Sequence, residues 1–164
     1  MGAMLPQAMR TAFVERFVSA LDSVARRRTR IKSPAHLILG EQGEDAAFFH
    51  LLRKGYTVTA RRWSAGNLSG DVDLIAWQGD LLCIVEVKTR TERNATPAHA
   101  AVDQHKRRIL RRLARAYLRQ LARAVPPNVR FDVISVYLGS DRKPEIEHFE
   151  NAFGWNEQRD RYEG

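Results

Sequence analysis

Hydrophobic and polar positions follow two periods along this chain, and the switches between them predict its elements. Phe13, Phe17, Leu21, Val24 and Ala25 recur at steps of three and four, with Glu15, Arg16 and Asp22 off that line. This predicts an amphipathic helix over residues 7–28. The basic run "RRRTRIKSP" follows and reads either as a solvated linker or as an arm that touches phosphates. A second helix is predicted from Leu37 to Lys54, with Gly55 placed to end it. "YTVTARRW" (56–63) is rich in β-branched and aromatic residues and predicts a strand, and "SAGNLSG" (64–70) a loop. Apolar runs at about 71–77 and 81–89 predict two more strands. Thr96 and Pro97 suit the N-cap and first turn of a long helix to about Ala124. "VRFDVISVYL" (129–138) and a short segment near 145–150 complete the set as strands. The order is α-β-β-β-α-β-β behind an extra N-terminal helix, an α/β mixed sheet flanked by helices. It divides the chain into a helix and basic linker (1–36), one compact domain (37–153) and a polar tail (154–164).

The most hydrophobic segment, "SGDVDLIAWQGDLLCIVEVKTR" (69–90), contains Asp71, Asp73, Glu86 and Lys88. Gly79-Asp80 is the signal of a two-residue type II′ hairpin loop. If these two form the loop, paired residue numbers sum to 159. Ile75 then faces Ile84, Asp73 faces Glu86 and Asp71 faces Lys88. Alternation puts all four polar groups on one face, at one end of the hairpin, with Leu74, Ala76, Cys83, Val85 and Val87 on the other. Directly opposed like charges destabilise a sheet. A salt bridge from Lys88 would offset one of them, and a divalent cation such as Mg²⁺, which takes oxygen ligands, would satisfy both. Glu44 shares a stripe with Ala47, Phe48 and Leu51 and is expected to face the sheet, with Glu41 as its competitor. An acid near a helix N-terminus also has a purely electrostatic use.

Composition narrows the class. The chain has 164 residues, 44% of them hydrophobic and 28% charged, which fits one globular domain. No stretch approaches a membrane span. The N-terminal residues lack the basic, apolar and cleavage regions of a secretory signal. Pro6 argues against myristoylation at Gly2. Cys83 has no partner for an internal disulfide and reads as a small buried hydrophobe; a cytoplasmic location is expected.

The net charge is +8 and the pI about 10.2, which favours an anionic partner. Gln104–Ala124 carries eight basic residues and no acid. Arg108, Arg112, Arg115 and Arg119 fall on one outward line about 16 Å long, enough to span several phosphates. A solvated helix face is the plainer reading, but these arginines have no acid for i,i+4 pairing and repel one another. DNA is therefore the expected partner, read through its backbone and shape. Lys106, in phase with Val102 and Ile109, is expected to reach the acid cluster from the inner side of the same helix.

The ordered set Glu44, Asp73 and Glu86-Val87-Lys88 resembles the PD-(D/E)XK nuclease superfamily. "GEDAA", "GDVDLIA", "VEVKTR", "AVDQHKRRIL", "RFDVISV" and "IEHFENAF" more closely resemble the YraN family, bacterial proteins likened to Holliday-junction resolvases. The resemblance covers about residues 40–153. It departs at Asp71, where that family more often has Glu. It implies a restriction-endonuclease-like fold and hydrolysis of DNA phosphodiesters with Mg²⁺ or Mn²⁺. By position, Asp73, Glu86 and the Val87 carbonyl would be metal ligands. Lys88 would position the attacking water or stabilise charge on the phosphate, and Glu44 would serve a second metal or orient water. Junction-resolving relatives imply a homodimer. The alternative is a non-catalytic nucleic-acid-binding or partner-docking module on the same fold.

Overall fold

The computed structural model describes residues 35–66, 68–91, 102–121, 125–139 and 143–156. The expected helix over 7–28, the basic linker, Thr96 and Pro97 lie outside them. Helix α1 (Ala35–Arg53) leads into strands β1 (Thr57–Trp63), β2 (Val72–Gln78) and β3 (Leu81–Arg90). Helix α2 (Gln104–Gln120) and strands β4 (Val129–Tyr137) and β5 (Glu145–Phe153) follow. The sheet order is β1-β2-β3-β4-β5. All neighbours are antiparallel except β3 and β4. That parallel pair needs a crossover, and α2 lies within it.

The two helices cover opposite faces of the sheet. Ala47 and Leu51 of α1 pack with Leu74, Ala76, Cys83, Val85, Val87 and Ile134. Leu110, Leu113 and Ala114 of α2 pack with Val72, Ile75, Ile84, Phe131 and Val133. The central strand β3 is thus buried on both sides, which is why its sequence is a continuous apolar run. The expected hairpin register holds: Gln78 pairs with Leu81, Ile75 with Ile84 and Leu74 with Val85. Gly79 has φ +58°, and Asp80 is outside the left-handed region, as a type II′ turn requires.

Two expectations are corrected here, and one feature is added. The long helix begins at Gln104 rather than near Thr96. Its N-cap is Asp103, whose side chain accepts from the Lys106 N–H at 2.7 Å. The last strand runs on to Phe153 because it is bulged opposite Asp132. There Asn151 takes φ +56°, a conformation Asn tolerates, and its N–H donates to Asp132 Oδ1 at 3.0 Å. Strand β1 carries a bulge between Val58 and Ala60, where the Thr59 hydroxyl donates to the Ile75 carbonyl at 3.3 Å. Local sequence does not reveal such insertions, because the extra residue is set by pairing with a distant strand.

Asp132 is fully buried and holds the α1 face together. Arg130 donates to both of its oxygens, at 2.8 and 2.9 Å, and His148 Nε2 lies 3.1 Å from Oδ2. Arg130 also donates to Tyr56 Oη at 2.8 Å and pairs with Glu150 at 3.0 Å, which Lys54 engages at 2.8 Å. Burial works to raise the Asp132 pKa, but the His148, Arg130 and Asn151 donors outweigh it and hold the carboxyl below its ordinary value. Its contribution to stability is therefore present above pH 3.8 and lost as pH falls below it. Asp132→Ala would leave Arg130 and His148 without their buried partner. A loss of about 3–5 kcal/mol is expected at pH 7, measured as the shift in urea unfolding free energy.

Candidate functional site

The acid-bearing end of the hairpin differs from a continued ladder. Recorded β2–β3 pairing stops at Leu74–Val85. At the next step Asp73 Oδ2 accepts the Val87 N–H at 2.6 Å. A side-chain carboxylate thus takes the place of a main-chain acceptor at the point where the strands part. Strand geometry aims the Val87 carbonyl to the same side as its N–H, into the same gap. The expected facings of Asp73 with Glu86 and of Asp71 with Lys88 do not occur as strand pairs, the pairing having stopped at Leu74–Val85 and β2 beginning only at Val72.

Glu86 is 3% exposed and carries two ammonium groups. Lys88 Nζ donates to Oε1 at 2.9 Å. Lys106 Nζ lies 3.1 Å from Oε2, a close ion pair off the preferred hydrogen-bond angle, so this buried oxygen lacks a well-aligned donor. Lys106 also donates to the Asp71 carbonyl at 3.2 Å and lies 3.9 Å from Asp71 Oδ1. It reaches the acids from the inner side of α2, as its helical phase predicts. Burial works to lower the Lys106 pKa, but Glu86 and Asp73 outweigh it and hold the ammonium above its ordinary value. Burial pushes the Asp73 carboxyl up to about 7, Glu86 adding to the rise and the Val87 N–H and Lys106 opposing it.

Glu44, rather than Glu41, is the inward acid of α1: its side chain is 15% exposed against 50% for Glu41. It does not join Asp73 and Glu86 in a common cage. Its Oε2 accepts from Arg62 Nε at 2.7 Å, and among the described residues no three His, Cys, Asp or Glu side chains gather closely enough to hold a metal together. Glu44 still acts on Asp73 through its charge, raising the Asp73 pKa. Helix α1 comes this close because residue 43 is Gly: a Cβ there would stand 1.8 Å from Thr89 Oγ1 on β3.

Arg62 is a participant the sequence reading missed. Arg61 pairs with Leu74 and Trp63 with Val72, which puts Arg62 level with Asp73. Its backbone sits at φ +46°, an uncommon conformation for a residue with a long side chain. From there its guanidinium reaches Glu44, and Glu41 at 3.3 Å. Arg61 reaches the same helix, pairing with Asp45 and lying over the Phe48 ring at 5.0 Å. The doubled arginine in "TARRW" was the available signal.

On α2, Arg108, Arg112, Arg115 and Arg119 are all exposed, so the outward basic line exists. Arg115 also lies over the Trp155 ring at 5.1 Å. Arg111, not on that line, is buried and donates through Nε to the Gly154 carbonyl at 2.7 Å. It fastens the end of β5 to α2.

The residues at the gap fit a divalent cation of the Mg²⁺ type, which is commonly held by one or two carboxylates and keeps several waters. Glu86 Oε2 is buried without a well-aligned hydrogen bond, Asp73 interacts with Glu86 as a carboxyl disfavoured in its charged form, and strand geometry turns the Val87 carbonyl toward the same side. Cation charge would relieve both acids. In chelator, Asp73→Asn keeps an acceptor for the Val87 N–H and removes the disfavoured charge. The folded pKa lies above the ordinary 3.8, so the wild-type site loses stability as pH rises from about 4 through about 7. Asp73→Asn should therefore match wild type at pH 4 and exceed it at pH 8 in thermal unfolding. Asp73→Ala should fall about 1–3 kcal/mol below Asp73→Asn, having left a buried N–H unpaired.

Comparison with known proteins agrees with the motifs. The model of the "Uncharacterised protein family UPF0102" matches residues 43–136. A UPF0102 protein of Koribacter versatilis is 49% identical over 121 residues, covering 73% of this chain and 82% of the relative. One from Porphyromonas gingivalis is 44% identical over 115 residues, covering 70% and 82%. One from Rhodococcus opacus is 43% identical over 119 residues, covering 72% and 98%. The matched span carries Glu44, Asp73, Glu86, Lys88, Lys106 and the arginine line, and the chain belongs to the UPF0102 family, the YraN-like proteins its motifs resemble.

Proposed function

We propose that this chain is a metal-dependent endonuclease of the PD-(D/E)XK type, hydrolysing phosphodiesters in DNA, branched DNA included, on a restriction-endonuclease-like fold. The observation that carries the reading is the gap between β2 and β3. There Asp73 accepts the Val87 N–H, and Glu86, one of whose buried oxygens lacks a well-aligned donor, pairs with Lys88. Asp73, Glu86 and Val87 would hold Mg²⁺ or Mn²⁺. Bound there, the ion supplies charge that lowers the pKa of water and stabilises negative charge developing on the phosphate. Lys88, about one-third exposed, presents its ammonium to the water and the phosphate oxygens. Glu44, held by Arg62, keeps a negative field on Asp73 from the α1 side. The outward arginines of α2 grip successive phosphates without reading bases, so selectivity comes from the shape of the DNA.

A second reading has one observation in its favour. Lys88 and Lys106 already balance the Glu86 carboxylate, as a site retired from catalysis would allow. The chain would then be a nucleic-acid-binding or partner-docking module.

Nicking of fork, flap and four-way junction DNA in Mn²⁺ separates the two. Wild type should cut at least one of these. Lys88→Ala and Glu86→Ala should lose about 10²-fold or more in rate, with DNA affinity changed little in a protein this basic. Tight binding by wild type without cutting would establish the module. For the helix face, replacing Arg112 and Arg115 with Gln should weaken binding to all sequences alike. It should also flatten the salt dependence by about 0.9 unit of slope per lost phosphate contact, read from binding isotherms at several salt concentrations. An unchanged slope would show a solvated face.

A further inference from the structure

Lys106 is tied to the acid cluster in a way that differs from Lys88. Lys88 makes a directed hydrogen bond to Glu86 Oε1. Lys106 faces Oε2 at 3.1 Å off the preferred hydrogen-bond angle and also donates to the Asp71 carbonyl at 3.2 Å. Its hold on Glu86 is a close ion pair less well directed than that of Lys88, and a competing cation at Oε2 would displace it. The backbone at Lys106, by contrast, is fixed: its N–H is taken by the Asp103 cap at 2.7 Å. The side chain is a flexible four-carbon stem, 23% exposed, on the helix whose outer face carries the arginine line.

At the gap Asp71, Asp73 and Glu86 stand against Lys88 and Lys106, one negative charge in excess when all are ionised. A buried carboxylate such as Glu86 needs a cation beside it at all times. A divalent ion taking Oε2 would turn that excess into one surplus positive charge, with one ammonium newly released. A phosphodiester of the DNA backbone is an anion of the right kind to receive it. We propose that Lys106 couples metal binding to DNA binding: it neutralises Glu86 in the metal-free protein, and when a divalent cation takes that place it turns to the DNA phosphate. The inference rests on the metal-centre reading above. It assigns Lys106 to regulation of that site, as the residue that links the ion to α2.

Coupling of this kind is reciprocal, so the ion should tighten DNA binding by the factor by which DNA tightens the ion. Three measurements on the full chain test it. Mn²⁺ affinity without DNA, by calorimetry, should be about 3-fold or more tighter in Lys106→Gln than in wild type, because a competing cation has gone. Affinity for labelled flap DNA should rise about 5-fold or more in wild type on exchanging EDTA for Ca²⁺. That gain should shrink below about 2-fold in Lys106→Gln and persist in Lys106→Arg. The third measurement needs no variant: acetylation of wild-type Lys106, followed by mass spectrometry, should speed up about 3-fold or more when Mn²⁺ replaces EDTA.

If wild type binds no Mn²⁺, the metal-centre reading and this inference fall together. If Mn²⁺ binds while Lys106 acetylation is unchanged, or while Lys106→Gln keeps the full Ca²⁺-linked gain in DNA affinity, this inference alone is overturned. Lys106 is then a fixed tie between α2 and the hairpin.

Discussion

Glu86 is a carboxylate at 3% exposure on β3, the middle strand of five, and much of the surrounding structure answers its charge. A buried anion costs several kcal/mol unless cations and donors stand against it. Lys88 supplies one from the same strand, two residues on. Lys106 supplies the other from α2, and that contact fixes where the helix sits over the acid end of the hairpin. The Asp103 cap starts the helix in the phase that points Lys106 inward, and the same phase puts Arg108, Arg112, Arg115 and Arg119 outward. Placement of the basic face and neutralisation of the buried acid are two consequences of one helix rotation.

The sheet carries two buried acids, and their surroundings are opposite in kind. Asp132, on the α1 face, meets two nitrogens of Arg130, the ring of His148 and a main-chain N–H, and its pKa is held down. That network is closed and has the character of a fastening between β4, β5 and the end of α1. At the other site Asp73 is pushed up to about 7, and one buried oxygen of Glu86 lacks a well-aligned hydrogen-bond donor. Acids left under-satisfied in this way store free energy that a ligand can release. The contrast within one sheet sets a fully compensated structural cluster against one whose acids are left under-compensated.

Among the described residues no helix is long and apolar enough to cross a membrane, and the exposed arginines of α2 present the charge that an anionic polymer requires. Strain adds a further mark of the site. The left-handed backbone of Arg62, level with Asp73, is the kind of feature that survives where the surroundings demand it. Its guanidinium is what holds Glu44 in place.

Much of this architecture was legible in the chain itself. A two-residue loop at Gly79-Asp80 sets the hairpin register by arithmetic, since strand geometry leaves no freedom once the turn type is chosen. Helical periodicity alone separated the inward Lys106 from the outward arginines, and it placed Glu44 inside Glu41. What could not be read was whatever depends on contact between distant segments. Whereas the Asp103 cap of α2 is a local signal that was passed over, the bulges in β1 and β5 and the reach of Arg62 to Glu44 arise from pairing between distant segments, which local pattern does not encode. The ending of the β2–β3 ladder at Asp73 is of the same kind. Sequence set the acids facing each other, but only the folded chain decided that Asp73 would take the Val87 N–H and that two lysines from different elements would share Glu86. A buried charge is matched by whatever the tertiary packing brings within reach.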